Sequence, residues 1–395
     1  MEHPIKTQSL PIGVVFHRET LRRIGRSGDN FCLTWAADDS QITSMDDGNW
    51  LDEPHSYSNH LYRLIGGAND FQREDVPGYP QFLYGERGWF GYGLCSVGGA
   101  LYSFVSKCPL NSWSGPFRGM KLLKSYDNGA SWVRVNRRGE ERPLGPWDPV
   151  RNEVSAEEMF FLEEAGRIGH GGMAYPFASC DAVQEGRDHG ASRDGYVYLY
   201  SPEGACTAQL LLARAPAEAL SRRDAWEFYC GWQGGQPLWN HDLQARQPVH
   251  AFPARDDNGD VFGWYSWLPS VVWNQGLGLY LMVNGGTYGG HGLSGTAEDY
   301  YHRWMHTRSG SLGFWWSRHP WGPWTPFYYA AEWTVDSPDN RTYQPKLSPK
   351  WISADGRHLV LIWSDAMKNA EGKSHTVNYR WNQMEISLLM PDESQ

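Results

Sequence analysis

Apolar residues in this chain come in short runs, broken by Gly, Pro, Asn and Asp, and seldom recur with the period of a helix. The runs at 41–44, 100–105, 195–201, 209–213, 270–273, 278–283 and 358–364 are rich in β-branched and aromatic residues. Such residues fit a pleated, half-buried surface, and the turn formers between them set strand ends. One stretch, 155–165, carries a helical pattern, and a shorter turn is expected at 215–223. The rest predicts an all-β sandwich, barrel or propeller.

A weak recurrence selects the propeller. SGPFRG at 114–119, LGPWDP at 144–149 and WGPWTPF at 321–327 each put Gly-Pro-aromatic at a strand edge. Residues 124–135, KSYDNGASWVRV, read as an Asp-box-like hairpin of the sialidase type. In it Asp127 and Asn128 open a tight turn, Gly129 takes a positive φ, and Trp132 plugs the blade. With roughly 50 residues per blade, the length predicts a seven-bladed β-propeller. No linker or low-complexity tract divides residues 1–395, so one domain is expected.

Composition narrows the partners. There are 21 Trp and 21 Tyr against 15 Phe, and these amphipathic rings suit blade packing and stacking on sugars alike. A formal net charge of -10 argues against nucleic acid, which needs a basic stripe. No apolar run approaches the roughly 20 residues of a membrane-spanning helix. Residues 1–14 lack the pattern of a secretory leader, and the cysteines at 32, 95, 108, 180, 206 and 230 form no CxxC pair. Reduced thiols in the cytoplasm are the expectation, or secretion if a leader has been removed.

Several stretches resemble one family of seven-bladed propellers, the rhamnosyl-glucuronate lyases with their rhamnosidase relatives and, more distantly, the ulvan lyases. They are 29–50 (DNFCLTWAADDSQITSMDDGNW), 115–132 (GPFRGMKLLKSYDNGASW), 188–201 (DHGASRDGYVYLYS), 212–231, 271–282 and 315–324. Cys32 stands where that family's early motif often has histidine, and residues 51–88 and 179–187 look like insertions. The resemblance implies an enzyme that cleaves a 4-linked uronate by β-elimination, with no cofactor.

Elimination needs a cation on the carboxylate, a base for the C5 proton and an acid for the leaving oxygen. The resemblance places a Tyr and an Arg near Tyr102 and Arg118, and histidines in the segment of His170 (GHGG) and His189 (RDHG). Tyr102 and both histidines also read as structural groups. Tyr288 and His291, in the glycine-flanked loop 285–292, would bind substrate at the rim. His55 and His60 lie in the atypical stretch without sequence support for a metal.

Hydrolysis is the alternative, and it needs two carboxyls flanking the glycosidic bond. Asp29 and Asp47 bracket the first hairpin and are its candidates, whereas Asp38, Asp39 and Asp46 read as turn residues. A third reading is a glycan-binding propeller without catalysis. Walker, dinucleotide and HExxH signatures are absent from the sequence.

Overall fold

A computed structural model of the chain describes residues 10–84, 89–107, 119–144, 159–162, 176–202, 209–252, 269–286, 310–330, 333–337, 342–365 and 378–391. Among these residues the strands form five separate antiparallel sheets, blades I to V in chain order. Helical turns there are short 3-10 segments such as Arg187–His189 and Ala217–Ala219. Each run singled out above lies in or overlaps a strand. Phe161–Leu162, inside the stretch with helical pattern, is instead a short strand paired with Gly119–Ser125. Its neighbour Phe160 is fully buried, so packing of aromatic side chains between blades overrides local periodicity.

Each blade begins with a strand beside the central axis. These inner strands are Ser27–Asp29 with Leu33–Trp35, then Trp89–Val97, Asp181–Val183, Ser270–Asn274 and Thr342–Ile352. Each packs beside the next, and that of blade V returns against that of blade I, so the ring is closed. Five blades is therefore a correction to the expected seven, and to the seven-bladed frame that the family resemblance implied. The error lay in the repeat length: each blade spends roughly 80 residues, well above a kelch-like repeat. Residues 51–88, read as an insertion, supply the Tyr57–Ile65 and Gln72–Asp75 strands of blade I.

Closure uses both ends of the described chain. Gly13–Phe16 pairs with Trp381–Leu389 and becomes an outer strand of blade V, in register from Gly13↔Leu389 to Phe16↔Ile386. Hydrogen bonding the first strand to the last ties the ring shut and satisfies an edge that would otherwise be open.

The core is distributed as one apolar cluster at each blade junction. Phe31, Trp50, Tyr62, Trp351 and Trp381 fill the junction of blades V and I. Tyr79, Leu94 and Trp132 fill that of I and II, and Phe104, Phe160 and Trp226 that of II and III. Tyr200, Trp315 and Trp324 lie between III and IV, and Phe314, Trp333 and Trp363 between IV and V. Wedge-shaped gaps between twisted sheets take large flat rings, and this accounts for much of the tryptophan content.

Trp132 shows the economy of one such plug. It is buried, its Nε1 donates to the Gly129 carbonyl at 3.1 Å, and its ring meets Tyr79 at 5.2 Å. Asp127 holds the turn by accepting from Ser125, the Ser131 N–H and the Ser131 hydroxyl. Trp132→Ala is expected to cost about 3–5 kcal/mol by cavity formation. Denaturant unfolding checks this, and an unchanged midpoint would show that the ring is not a junction plug.

Candidate active site

The inner strands run in one sense about the axis, as the parallel bridge Gln184↔Val272 between blades III and IV shows. Residues at the starts of these strands therefore collect at one mouth of the channel. Blade I brings Asp29 there, blade III Asp181, and blade V Tyr343 and Lys346. Three of them are charged types, and all are buried, with Asp29 at 5 %, Asp181 at 6 % and Lys346 at 1 % exposure.

Blade I adds two more carboxyls. Asp46 sits directly opposite Asp29 in the ladder, where side chains stand about 5 Å apart at Cβ. One residue farther, the register between Ser27–Asp29 and Gln41–Asn49 slips, and Asp47 takes a left-handed φ of 50°. A bulge of this kind turns a side chain that plain alternation would send to the opposite face. Gly48 permits it: a Cβ there would lie 2.2 Å from the Ser27 carbonyl oxygen. Among the described residues, Asp47 Oδ1 is left buried without a hydrogen-bond partner.

The two carboxyls of the ladder pair are held differently. Asp29 accepts from the Tyr379 hydroxyl at 2.7 Å. Asp46 accepts from Asn30 at 2.8 Å, Asn59 at 2.8 Å and the Gly91 N–H at 3.1 Å. Tyr79 in turn donates to Asn59 Oδ1 at 2.6 Å. Gly91 is required in this arrangement, because a Cβ would stand 2.2 Å from Asn59 Nδ2. Asp46 is thus a fixed member of the site rather than the turn residue that the sequence suggested. Asp38 and Asp39 do occupy the turn at 37–39.

Burial governs the protonation of the whole group. It pushes Asp29 up to about 7, against the opposing pull of Tyr379 and Lys346. Burial also pushes Asp181 up to about 7, opposed by Lys346 and by the Val271 N–H, which donates to it at 3.2 Å. Asp46 and Asp47 are raised well above the carboxylate range, first by burial and then by the charge of Asp29. Like charges this close cannot all ionise, so the cluster titrates as a unit. Within the cluster the Tyr379 hydroxyl and Lys346 favour Asp29 as the first member to ionise, with Asp46 and Asp47 held higher.

Of the residues expected to perform elimination, Tyr102 and His189 are described, and neither belongs to this cluster. Tyr102 is packed among Cys95, Val97, Phe104 and Leu122 at the junction of blades II and III, with the Lys124 ammonium 5.2 Å from its ring centre. Its ring is buried in this junction. His189 is buried with both nitrogens used: Nδ1 accepts from the Glu185 N–H at 3.2 Å, and Nε2 donates to the Tyr196 carbonyl at 2.9 Å. Burial depresses its pKa, which suits a neutral structural imidazole. Arg118, His170, Tyr288 and His291 lie outside the described residues.

His60 faces Asp75 at 2.5 Å and stacks on Tyr57, and His55 is exposed. Among the described residues no three His, Cys, Asp or Glu side chains gather as metal ligands. Cys32, Cys95, Cys180 and Cys230 are free thiols, and Cys108 and Cys206 fall outside the described residues.

Asp181 and Lys346 were missed in the sequence. Asp181 lies in SCDAV and Lys346 in QPKLS, neither of which has turn glycines or a motif to mark it. The available signal was a charged residue inside a β-rich run, and it becomes informative only once the strand is known to be innermost.

Fold and site together define a five-bladed β-propeller with a desolvated carboxylate cluster at one mouth. No family model matches the chain, and no curated protein matches it. Solved structures similar to it include a protein from Bacteroides ovatus, 13 % identical, TM-score 0.49, covering 92 % of this chain and 87 % of that one. Another is an α-L-arabinofuranosidase from Podospora anserina solved with cellotriose, 9 % identical, TM-score 0.42, covering 96 % and 94 %. A GH43_1 enzyme from Xanthomonas citri is 13 % identical, TM-score 0.41, covering 95 % and 89 %.

Proposed function

We propose that the protein is a glycoside hydrolase in which Asp29 acts as base or nucleophile and Asp181 as general acid. The observation that carries this reading is the placement of two buried carboxyls, each pushed to about 7, on inner strands that are not neighbours in the ring. Hydrolysis of a glycosidic bond needs one carboxyl to give a proton to the leaving oxygen and a second, across the bond, to act as an anion. Lys346 acts on both carboxyls, but only Asp29 also accepts from a tyrosine hydroxyl, that of Tyr379, and this suits it to the second task. Among the described residues no other carboxylate of blade III acts on Asp181, and desolvation keeps its proton near neutrality. Asp47, the partner of Asp29 in the sequence-based scheme, shares one cluster with it, which suits a proton reservoir better than an opposed pair.

The hydrolase reading differs from elimination in its product. Incubation with a panel of neutral and anionic oligosaccharides is expected to release reducing ends without the ultraviolet absorbance of an unsaturated uronide. Reducing ends with that absorbance would restore the lyase. Binding without any new reducing end would make the propeller a glycan-binding module.

A further inference from the structure

The channel has a second mouth, at the ends of the same inner strands. Trp35 closes Leu33–Trp35, Trp273 lies near the end of Ser270–Asn274, and Lys350 and Ile352 end Thr342–Ile352. At about 3.3 Å per residue, this mouth is roughly 15–20 Å from the carboxylates. A polar plug separates the two. Thr34, from blade I, donates to Gln184 Oε1 of blade III and accepts from the Ser96 N–H of blade II at 2.7 Å. The same Gln184 accepts from the Trp35 N–H at 2.8 Å and donates to the Trp35 carbonyl at 2.5 Å.

Below the plug lies a cavity of about 530 Å³, lined by Trp35, Trp273, Gln275, Lys350, Ile352 and Ser353 among others. The volume falls within the roughly 300–1,000 Å³ usual for small-molecule sites. We infer that this cavity is a second, non-catalytic binding site for a neutral mono- or disaccharide.

Three features select that ligand. The first is two half-buried indoles, which offer apolar faces to the C–H faces of a sugar ring. Both are set in advance: Trp35 Nε1 donates to Asp39 Oδ1 at 2.8 Å, and Trp273 is flanked by the Arg193 guanidinium and the Tyr280 ring, each 4.8 Å from its centre. Rings already fixed lose little freedom on binding. The second is charge. The Lys350 ammonium is taken by the carbonyl and carboxylate of Asp39, the latter at 3.1 Å, so the lining favours a neutral ligand over an anion. The third is the exposed Gln275 amide in the lining beside the indoles, which suits hydroxyls and disfavours a wholly apolar guest.

The test is calorimetric titration of the intact protein with glucose, cellobiose, xylobiose and maltose. At least one of these is expected to bind, with Trp273→Ala weakening it about tenfold or more. Gln275→Ala, at an exposed turn, is expected to weaken it severalfold without touching the fold. Asp29→Asn is expected to leave it unchanged, which separates this site from the carboxylate mouth whatever chemistry occurs there. The inference is overturned if no probe binds, if binding is equal in wild type and both cavity variants, or if it disappears with Asp29→Asn.

Discussion

Asp29→Asn and Asp181→Asn are each expected to lower turnover on a glycoside substrate by on the order of 10²–10⁴ while the protein stays folded. Folding should survive because the amide keeps the essential bonds. Its oxygen can still accept from Tyr379 at position 29 and from the Val271 N–H at position 181. What is lost is an anion in one case and a transferable proton in the other. The pH profile separates the roles, since removing the base erases the acid limb of the rate and removing the acid erases the basic limb. Tyr102→Phe is the control from the rival scheme, and it is expected to leave turnover unchanged because the ring belongs to a blade junction. Steady-state kinetics at several pH values decides. Full activity in both asparagine variants, or its loss in Tyr102→Phe, would overturn the assignment.

How much of this could be read from the sequence depends on range. Strands such as Gln41–Asn49, Ala100–Lys107 and His358–Asp365 announced themselves, because β-branched and aromatic runs between turn formers are a local signal. The closure by Gly13–Phe16 pairs residues 370 to 376 positions apart, and nothing local encodes it. Blade number failed for the same reason: it depends on the span from one inner strand to the next, and extra strands such as Gln236–Asn240 lengthen that span unpredictably. At the site, Asp29 was legible beside its hairpin. Asp46 was not, because its meaning depends on Asn59 from the next strand and Gly91 from the next blade. The histidine that glycines seemed to expose, His189, is instead spent on two backbone groups of its own blade. Glycine-flanked polar residues mark turns at least as readily as they mark chemistry.

Stability is expected to fall as pH rises from about 5 to 8, the reverse of what a protein held by salt bridges shows. The cause is the same desolvation that prepares the site. Asp29, Asp181 and Asp365 are each raised to about 7, the last chiefly by burial beside Trp363. In the unfolded chain these groups release their protons near the ordinary carboxylate value of about 3.9. Between that value and about 7 the folded state holds more protons than the unfolded one, so each rise in pH favours unfolding. The stabilisation from each raised group is complete below the unfolded value and is lost as pH passes through the folded one. The limiting slope is about 1.4 kcal/mol per pH unit for each group. Groups lowered in the fold act oppositely: Asp75 beside His60 and Asp127 in its turn lose their contribution only below the ordinary range, while desolvated His189 and His250 offset part of the decline below about 6.5. The two sets place the stability maximum in mildly acid solution. Thermal unfolding at constant ionic strength should therefore give a Tm that declines from pH 5 to pH 8. Asp365→Asn, outside the carboxylate cluster, should flatten that decline by removing one of the protons held in the folded state. A Tm that stays level or climbs over this range in the wild-type protein would mean that these carboxyls are ionised at little cost in the fold. The protonated acid assigned to Asp181 would then lose its physical basis.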